Sequence, residues 1–83
     1  MASKIEFVVN GASYRLSRSQ VERAIRGEKP ERVVTHGVVV GGQTFPVKQV
    51  FAKATGLDLL DFTSAVARRN LAKLEFELVR RSG

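Results

Sequence analysis

Apolar positions along this 83-residue chain switch between a period of two and a period near 3.6, and the switches outline its elements. Ile5-Glu6-Phe7-Val8-Val9 alternates and reads as a strand. Asn10-Gly11 follows, a pair that accepts the positive φ angles of a two-residue hairpin turn. Ala12 to Leu16 returns as the second strand. Ser17, with Gln20 three residues on, makes a capping box that starts a helix with the apolar stripe Val21, Ala24 and Ile25. Gly27 suits its end. After the charged connector Glu28 to Arg32, the β-branched run Val33 to Val40 predicts another strand. Gly41-Gly42 predicts a second hairpin turn, and Gln43 to Phe45 the return. Pro46 is expected at the first position of a second helix, where a missing N–H costs nothing. That helix, 46–55, carries the stripe Val47, Val50, Phe51 and Ala54 and closes at Gly56. Phe76 to Arg80 alternates again and predicts a final strand.

The stretch Phe62 to Glu75 reads as a helix with two faces. Val66, Ala67, Leu71 and Leu74 fall on one side and can pack on a core. Ala65, Arg68, Arg69 and Ala72 fall on the other. With Lys73, the stretch from Phe62 to Leu74 holds three positive charges and no acid. A cationic face interrupted only by alanines can approach a polyanion closely, as a helix entering a DNA groove must. Asp61 or Thr63 is expected to cap it.

The expected architecture is α+β, one small domain over residues 1–83, running hairpin, helix, hairpin, helix, helix, strand. Helices 46–55 and 63–75 have a helix-turn-helix layout, with 63–75 as the recognition helix. Strand 76–80 and the 38–45 hairpin would supply a wing, giving a winged helix-turn-helix-like fold. Segments 5–27 and 36–56 each read as hairpin, helix and glycine stop. They are either a degenerate repeat or a coincidence of short elements.

Charge sharpens this picture. The net charge is +6, and residues 1–45 and 46–83 each carry seven basic and four acidic side chains. The excess is spread out rather than held in a tail, and it favours encounter with phosphate polymers or acidic surfaces. There is no cysteine, so disulfide frameworks and thiolate zinc sites are excluded. No apolar run approaches the roughly 18 residues that span a bilayer. The first residues hold no apolar signal segment, so a cytoplasmic protein is the expectation, nucleoid-associated if it binds DNA.

Catalysis finds little support in the residues. His36 is the only histidine, and without cysteine no metal cluster or nucleophile–base pair assembles from the usual parts. His36 lies in a predicted strand and reads as a structural or surface residue. Asp58 and Asp61 flank a helix start and are better explained as caps. Gly41-Gly42 lacks the lysine and hydroxyl of a phosphate loop. Ser17 and Ser19 have no base beside them. No enzyme, cofactor or metal is expected.

Binding is the better reading. Lys48, Gln49 and Lys53 lie off the apolar stripe of helix 46–55. Arg68, Arg69 and Lys73 come from the basic helix, and Arg80 and Arg81 follow as phosphate contacts. Together they point to a small non-enzymatic protein that binds duplex DNA. RNA is the rival within the nucleic-acid class, with few aromatics to support single-strand readout. Tyr14 alone offers a stacking ring. The rival from another class is a protein-interaction module, an adaptor or a homodimer with a basic surface. An acidic protein would then be the partner, and Leu57, Leu59 and Leu60 the exposed patch. Monomer and homodimer both remain open.

Several residues also carry a family resemblance. They are the run Phe45-Pro46-Val47-Lys48, then Thr55-Gly56, then Phe62-Thr63-Ser64, Ala67-Arg68, Leu71 and Leu74-Glu75-Phe76. This resembles a module of prokaryotic restriction-associated proteins, found beside HNH nuclease domains. Its pattern is an aromatic-Pro-x-Lys helix start, a Phe-Ser turn, and a helix ending Leu-Gly-Phe. The sulfur-binding domain that reads phosphorothioate DNA carries a similar run. The likeness covers about residues 36–79. Glu75 replaces the pattern's glycine, and Gln49 replaces a small residue. The resemblance implies a DNA reader without a nuclease. It points to Phe45, Pro46 and Lys48 at the first helix start, and to Ser64 and Arg68 on the second helix.

Overall fold

Two hairpins, each feeding directly into a helix, begin the architecture. The computed structural model describes residues 4–33 and 35–80. In it, β1 (Lys4–Val9) turns at Asn10-Gly11 into β2 (Ala12–Ser17), and α1 (Arg18–Ile25) follows. The second hairpin joins β3 (His36–Val40) to β4 (Gln43–Pro46), and α2 (Val47–Thr55) follows. A 3-10 turn at Leu59–Asp61 then leads to α3 (Ser64–Lys73) and β5 (Glu77–Arg80). The turn residues all adopt positive φ: 52° and 78° at Asn10 and Gly11, 59° and 81° at Gly41 and Gly42. These are the two-residue turns whose twist matches that of the strands they join.

The strands form two antiparallel sheets. One pairs β1 with β2; the other is ordered β4-β3-β5. Gly37 in the central strand β3 lies between Pro46 and Val79. A Cβ there would lie 3.0 Å from Thr44 Cγ2 and from Val79 Cγ2, and 3.2 Å from the Phe45 carbonyl oxygen. Only glycine lets both neighbours close on β3 without a shift.

The core forms where the helices pack on the sheets. Val21 and Ile25 of α1, Val47, Val50 and Phe51 of α2, and Ala67 and Leu71 of α3 are all buried, as the 3.6-residue stripes require. Leu74 closes the same core. Phe51 is fully buried, with ring centroids 5.2 Å from Phe7 and 4.9 Å from Phe62. Phe51 thus joins the first hairpin to the segment that enters α3. Phe7 also stacks on its cross-strand neighbour Tyr14 at 5.6 Å, so the sole tyrosine ring has a partner within the protein.

The capping box is present as expected. The Ser17 hydroxyl accepts from the Gln20 N–H at 3.1 Å, and the Gln20 side chain accepts from the Ser17 N–H at 2.8 Å. Thr63, rather than Asp61, caps α3 by accepting from the Val66 N–H at 3.3 Å. Asp58 caps the 3-10 turn instead, accepting from the Leu60 N–H at 2.9 Å.

Three details differ from the sequence expectation. Pro46 ends β4 and stands at the N-cap of α2 with ψ 138°, rather than inside the helix. Its fixed φ suits an extended residue as well as a helical one. Residues 56–63 separate α2 from α3, longer than the roughly three- to four-residue turn of a helix-turn-helix. Helix α3 stops at Lys73, because Glu75 adopts φ 66°. The Phe76 N–H donates to the Leu71 carbonyl at 3.3 Å and the Glu75 N–H to the Ala72 carbonyl at 2.9 Å, a Schellman stop. This left-handed position is one that glycine favours, and the resembling pattern has glycine there. Asn70, also on α3, is buried and donates from Nδ2 to the Val66 carbonyl at 3.0 Å.

Candidate nucleic-acid interface

Three elements meet beside the central strand. The start of α2 brings Pro46, Val47 and Lys48. The first residue of α3 brings Ser64. The approach to β3 brings Arg32, Thr35 and His36. These seven residues line a shallow cavity of about 240 Å³. No carboxylate is among them.

The local folding explains each placement. Lys48 lies one residue past the buried Val47, on the flank of the α2 stripe. Its ammonium stands 5.4 Å from the centre of the Phe62 ring. That distance is within cation–π range and steers the side chain along the protein surface. Ser64 and Arg68 are one turn apart on α3 and so share a flank. His36 begins β3 and pairs in register with Arg80 at the end of β5. The His36 imidazole is held below its usual pKa of 6.5. Desolvation is the largest cause, followed by the positive charges of Arg68 and Arg80. These two arginines therefore belong to the same electrostatic site as His36.

Arg68 is not fully outward, as periodicity alone suggests. It is half-buried, and its buried Nε has no hydrogen-bond partner. Helical rotation puts Arg68 on the rim of the α3 core stripe, not opposite it. Buried donors are nearly always paired, so one left over draws attention to its surroundings.

From the expected set, Pro46, Lys48 and Ser64 line the cavity, and the charges of Arg68 and Arg80 reach His36 at its edge. Arg69 and Lys73 are exposed one turn apart on the outer surface of α3. Three expected contacts lie elsewhere. Phe45 is 1% exposed, and its ring belongs to the core because alternation along β4 turns it inward. Gln49 is 8% exposed. Its side-chain oxygen accepts from the Glu31 N–H at 2.9 Å, and its Nε2 donates to the Lys29 carbonyl at 2.9 Å. Gln49 thus anchors the connector before β3, and its amide is spent. Lys53 pairs with Glu28 at 3.6 Å and lines a separate groove with Ala52, Leu57 and Leu59. Arg81 lies outside the described residues.

Sequence reasoning missed Arg32, Thr35 and His36. The only signal for His36 is its register with Arg80, which requires knowing that β5 pairs with β3. Arg32 is placed by the Gln49 anchor on Lys29 and Glu31, which also has no local signature.

With this geometry in place, comparison with known proteins adds a family. The family model described as SCO5918-like matches residues 5–83. The chain therefore belongs to the SCO5918-like family. Comparison with curated proteins, and with solved structures, gives no match.

Proposed function

We propose that this protein is a non-enzymatic DNA-binding protein that seats a backbone phosphate of duplex DNA in the cavity beside β3. One observation carries the reading: Arg32, His36 and Lys48 line the cavity with no carboxylate among its lining residues, and the charges of Arg68 and Arg80 reach His36. With no carboxylate in its lining, the cavity favours an incoming anion. The Ser64 hydroxyl and the Lys48 ammonium in its lining are donors suited to phosphate oxygens. Arg69 and Lys73, on the outer surface of α3, then meet the adjoining backbone. The resemblance to DNA-reading modules of restriction-associated proteins supports the same surface, since Pro46, Lys48 and Ser64 line it. A winged helix-turn-helix comparison belongs to this reading as well, with α3 lying against the duplex and the β3–β4 hairpin at its side. In a cell the protein would work in the cytoplasm, on the nucleoid.

The test is fluorescence anisotropy with labelled duplex DNA, single-stranded DNA and RNA at low and physiological salt. Duplex binding should weaken steeply as salt rises, because counterion release drives it. Lys48→Gln with Arg68→Gln should keep the fold by circular dichroism. It should lower duplex affinity at least about tenfold and reduce the salt slope by roughly two. A salt-independent affinity, preference for single strands or RNA, or unchanged binding in the folded double variant would defeat the proposal.

A further inference from the structure

The first hairpin turn carries chemistry that the cationic cavity does not use. The chain has two asparagines, Asn10 and Asn70, and their surroundings are opposite. Asn10 is exposed at the tip of the β1–β2 hairpin, and its side-chain amide has no hydrogen-bond partner among the described residues. Gly11, the next residue, is exposed as well. Its N–H donates to no acceptor among the described residues, and a Cβ built on it would meet nothing within 4 Å. Asn70 is 4% exposed. Its Nδ2 is bonded to the Val66 carbonyl, and the residue after it, Leu71, lies within α3 with its side chain in the core.

An asparagine amide and the backbone nitrogen that follows it are one ring closure apart. Once the Gly11 nitrogen has lost its proton to hydroxide, its electron pair attacks the Asn10 Cγ. The new N–C bond closes a five-membered succinimide, and the bond from Cγ to Nδ2 breaks to release ammonia. Water then opens the ring at either of its two carbonyls. One opening leaves aspartate. The other leaves isoaspartate, in which the main chain runs through the former side chain. At Asn10 neither reacting group gives up a hydrogen bond within the protein, and glycine sets no side chain beside the nucleophile. Only the turn's own backbone, at φ 52° and 78°, opposes the approach. An exposed tip with no packing over it opens readily. At Asn70 the amide is engaged, and the helix holds the following nitrogen away.

We propose that Asn10 is a site of spontaneous succinimide formation, and that isoaspartate at this position loosens the first hairpin. The consequence follows from register. Val9 pairs with Ala12 across the two turn residues. Isoaspartate adds a carbon to the main chain there, which a two-residue turn does not accommodate. The register is fixed from the other side by the buried Ile5, Val9 and Leu16, so the strain falls on the pairing itself. Aspartate keeps the chain length and accepts the same turn. The Gly41-Gly42 turn, with the same positive φ angles and no amide side chain, is the internal control. None of this depends on the DNA-binding reading.

The test holds the folded full chain at physiological temperature, at neutral and at mildly alkaline pH, and follows its peptides by mass spectrometry. Electron-transfer fragmentation separates isoaspartate from aspartate. Amide loss should convert most Asn10 before any is detected at Asn70, and its rate should rise in proportion to hydroxide. The isoaspartate fraction should melt below fresh protein. Asn10→Asp should melt with the wild type, and Asn10→Gly, which copies the second turn, should keep its melting temperature through the same incubation. Four results would overturn the proposal: loss at Asn70 first, a rate indifferent to pH, an intact Asn10 in folded protein while the guanidinium-unfolded chain converts, or an isoaspartate fraction that melts with the fresh protein.

Discussion

The two hairpin–helix units share a local plan and use their charges in opposite ways. In the first, β1-β2-α1, Arg15 and Arg18 are paired within the protein. Arg15 pairs with Glu6 at 3.1 Å across the strands. Arg18 approaches Glu22 at 3.9 Å. It also donates from one guanidinium nitrogen to the Leu74 and Glu75 carbonyls at 3.0 and 2.9 Å, and lies 4.2 Å over the Phe76 ring. A groove of about 530 Å³ follows this unit; Arg15 in its lining is paired with Glu6, and Lys4 adds one positive charge beside them. In the second unit, β3-β4-α2, Lys48 and His36 face a smaller cavity that no carboxylate lines. Cavity size therefore says less about a binding surface than whether its charges are already paired. Net charge is also blind to this difference, since both halves of the chain carry the same excess.

The comparison can be broken or sharpened by experiment. The largest effect concerns whether the units are separable at all. Phe51→Ala empties a fully buried site between Phe7 of the first unit and Phe62 before α3. It should cost about 3–5 kcal/mol. Thermal melts followed separately by tyrosine fluorescence, reporting Tyr14 on β2, and by far-ultraviolet circular dichroism should shift together. Two resolved transitions would mean that the units fold independently.

Arg18→Ala comes next. It removes a charged donor from two carbonyls at the α3 stop and a cation from the Phe76 ring. The expected loss is about 2 kcal/mol, typical of hydrogen bonds to charged groups. DNA affinity, measured where the variant is folded, should change less than about twofold, against the tenfold or more expected for Lys48 and Arg68. A large loss of binding from Arg18→Ala would erase the contrast between spent and open charges.

Glu75→Gly should stabilise the protein by up to about 1 kcal/mol. Glycine adopts the left-handed Schellman position without the strain a side chain brings, although it adds entropy to the unfolded chain. Denaturant unfolding would show this as a higher midpoint with unchanged slope. A lower midpoint would mean that the Glu75 side chain contributes more than its backbone strain costs.

The smallest effect is pH dependence at His36. Its folded pKa is below 6.5, chiefly through desolvation and then through Arg68 and Arg80. The folded chain thus binds this proton less readily than the unfolded chain. Stability from this group is complete above about pH 6.5 and declines as pH falls through the lowered folded value. A phosphate in the cavity would offset the arginine charges and restore proton affinity. Duplex binding should therefore tighten modestly as pH falls from 7.5 toward 5.5, with proton uptake in calorimetry across buffers of different ionisation enthalpy. His36→Gln should flatten both responses. Binding that weakens toward acid in the wild type would place His36 outside the bound surface.

Local signals in the sequence determined much of the architecture. The Asn10-Gly11 and Gly41-Gly42 turns, the Ser17–Gln20 capping box, and the stripes of α1 and α2 all act within a few residues. Their physics is complete in the local chain: allowed φ, one reciprocal hydrogen bond, one buried face. The membership of the site was only partly legible. Lys48 and Arg68 could be picked out as basic residues off the main stripe, but Gln49 looked equally exposed. Periodicity places a residue around its own helix and says nothing of what another segment lays over it, here the connector at Lys29 and Glu31. Arg18 reaching the end of α3, His36 meeting Arg80, and the gathering of β3, α2 and α3 around one cavity depend on the order β4-β3-β5 and its register. Those were decided only by tertiary packing, because strand order follows from how three amphipathic helices bury their faces together, and no single segment encodes that outcome.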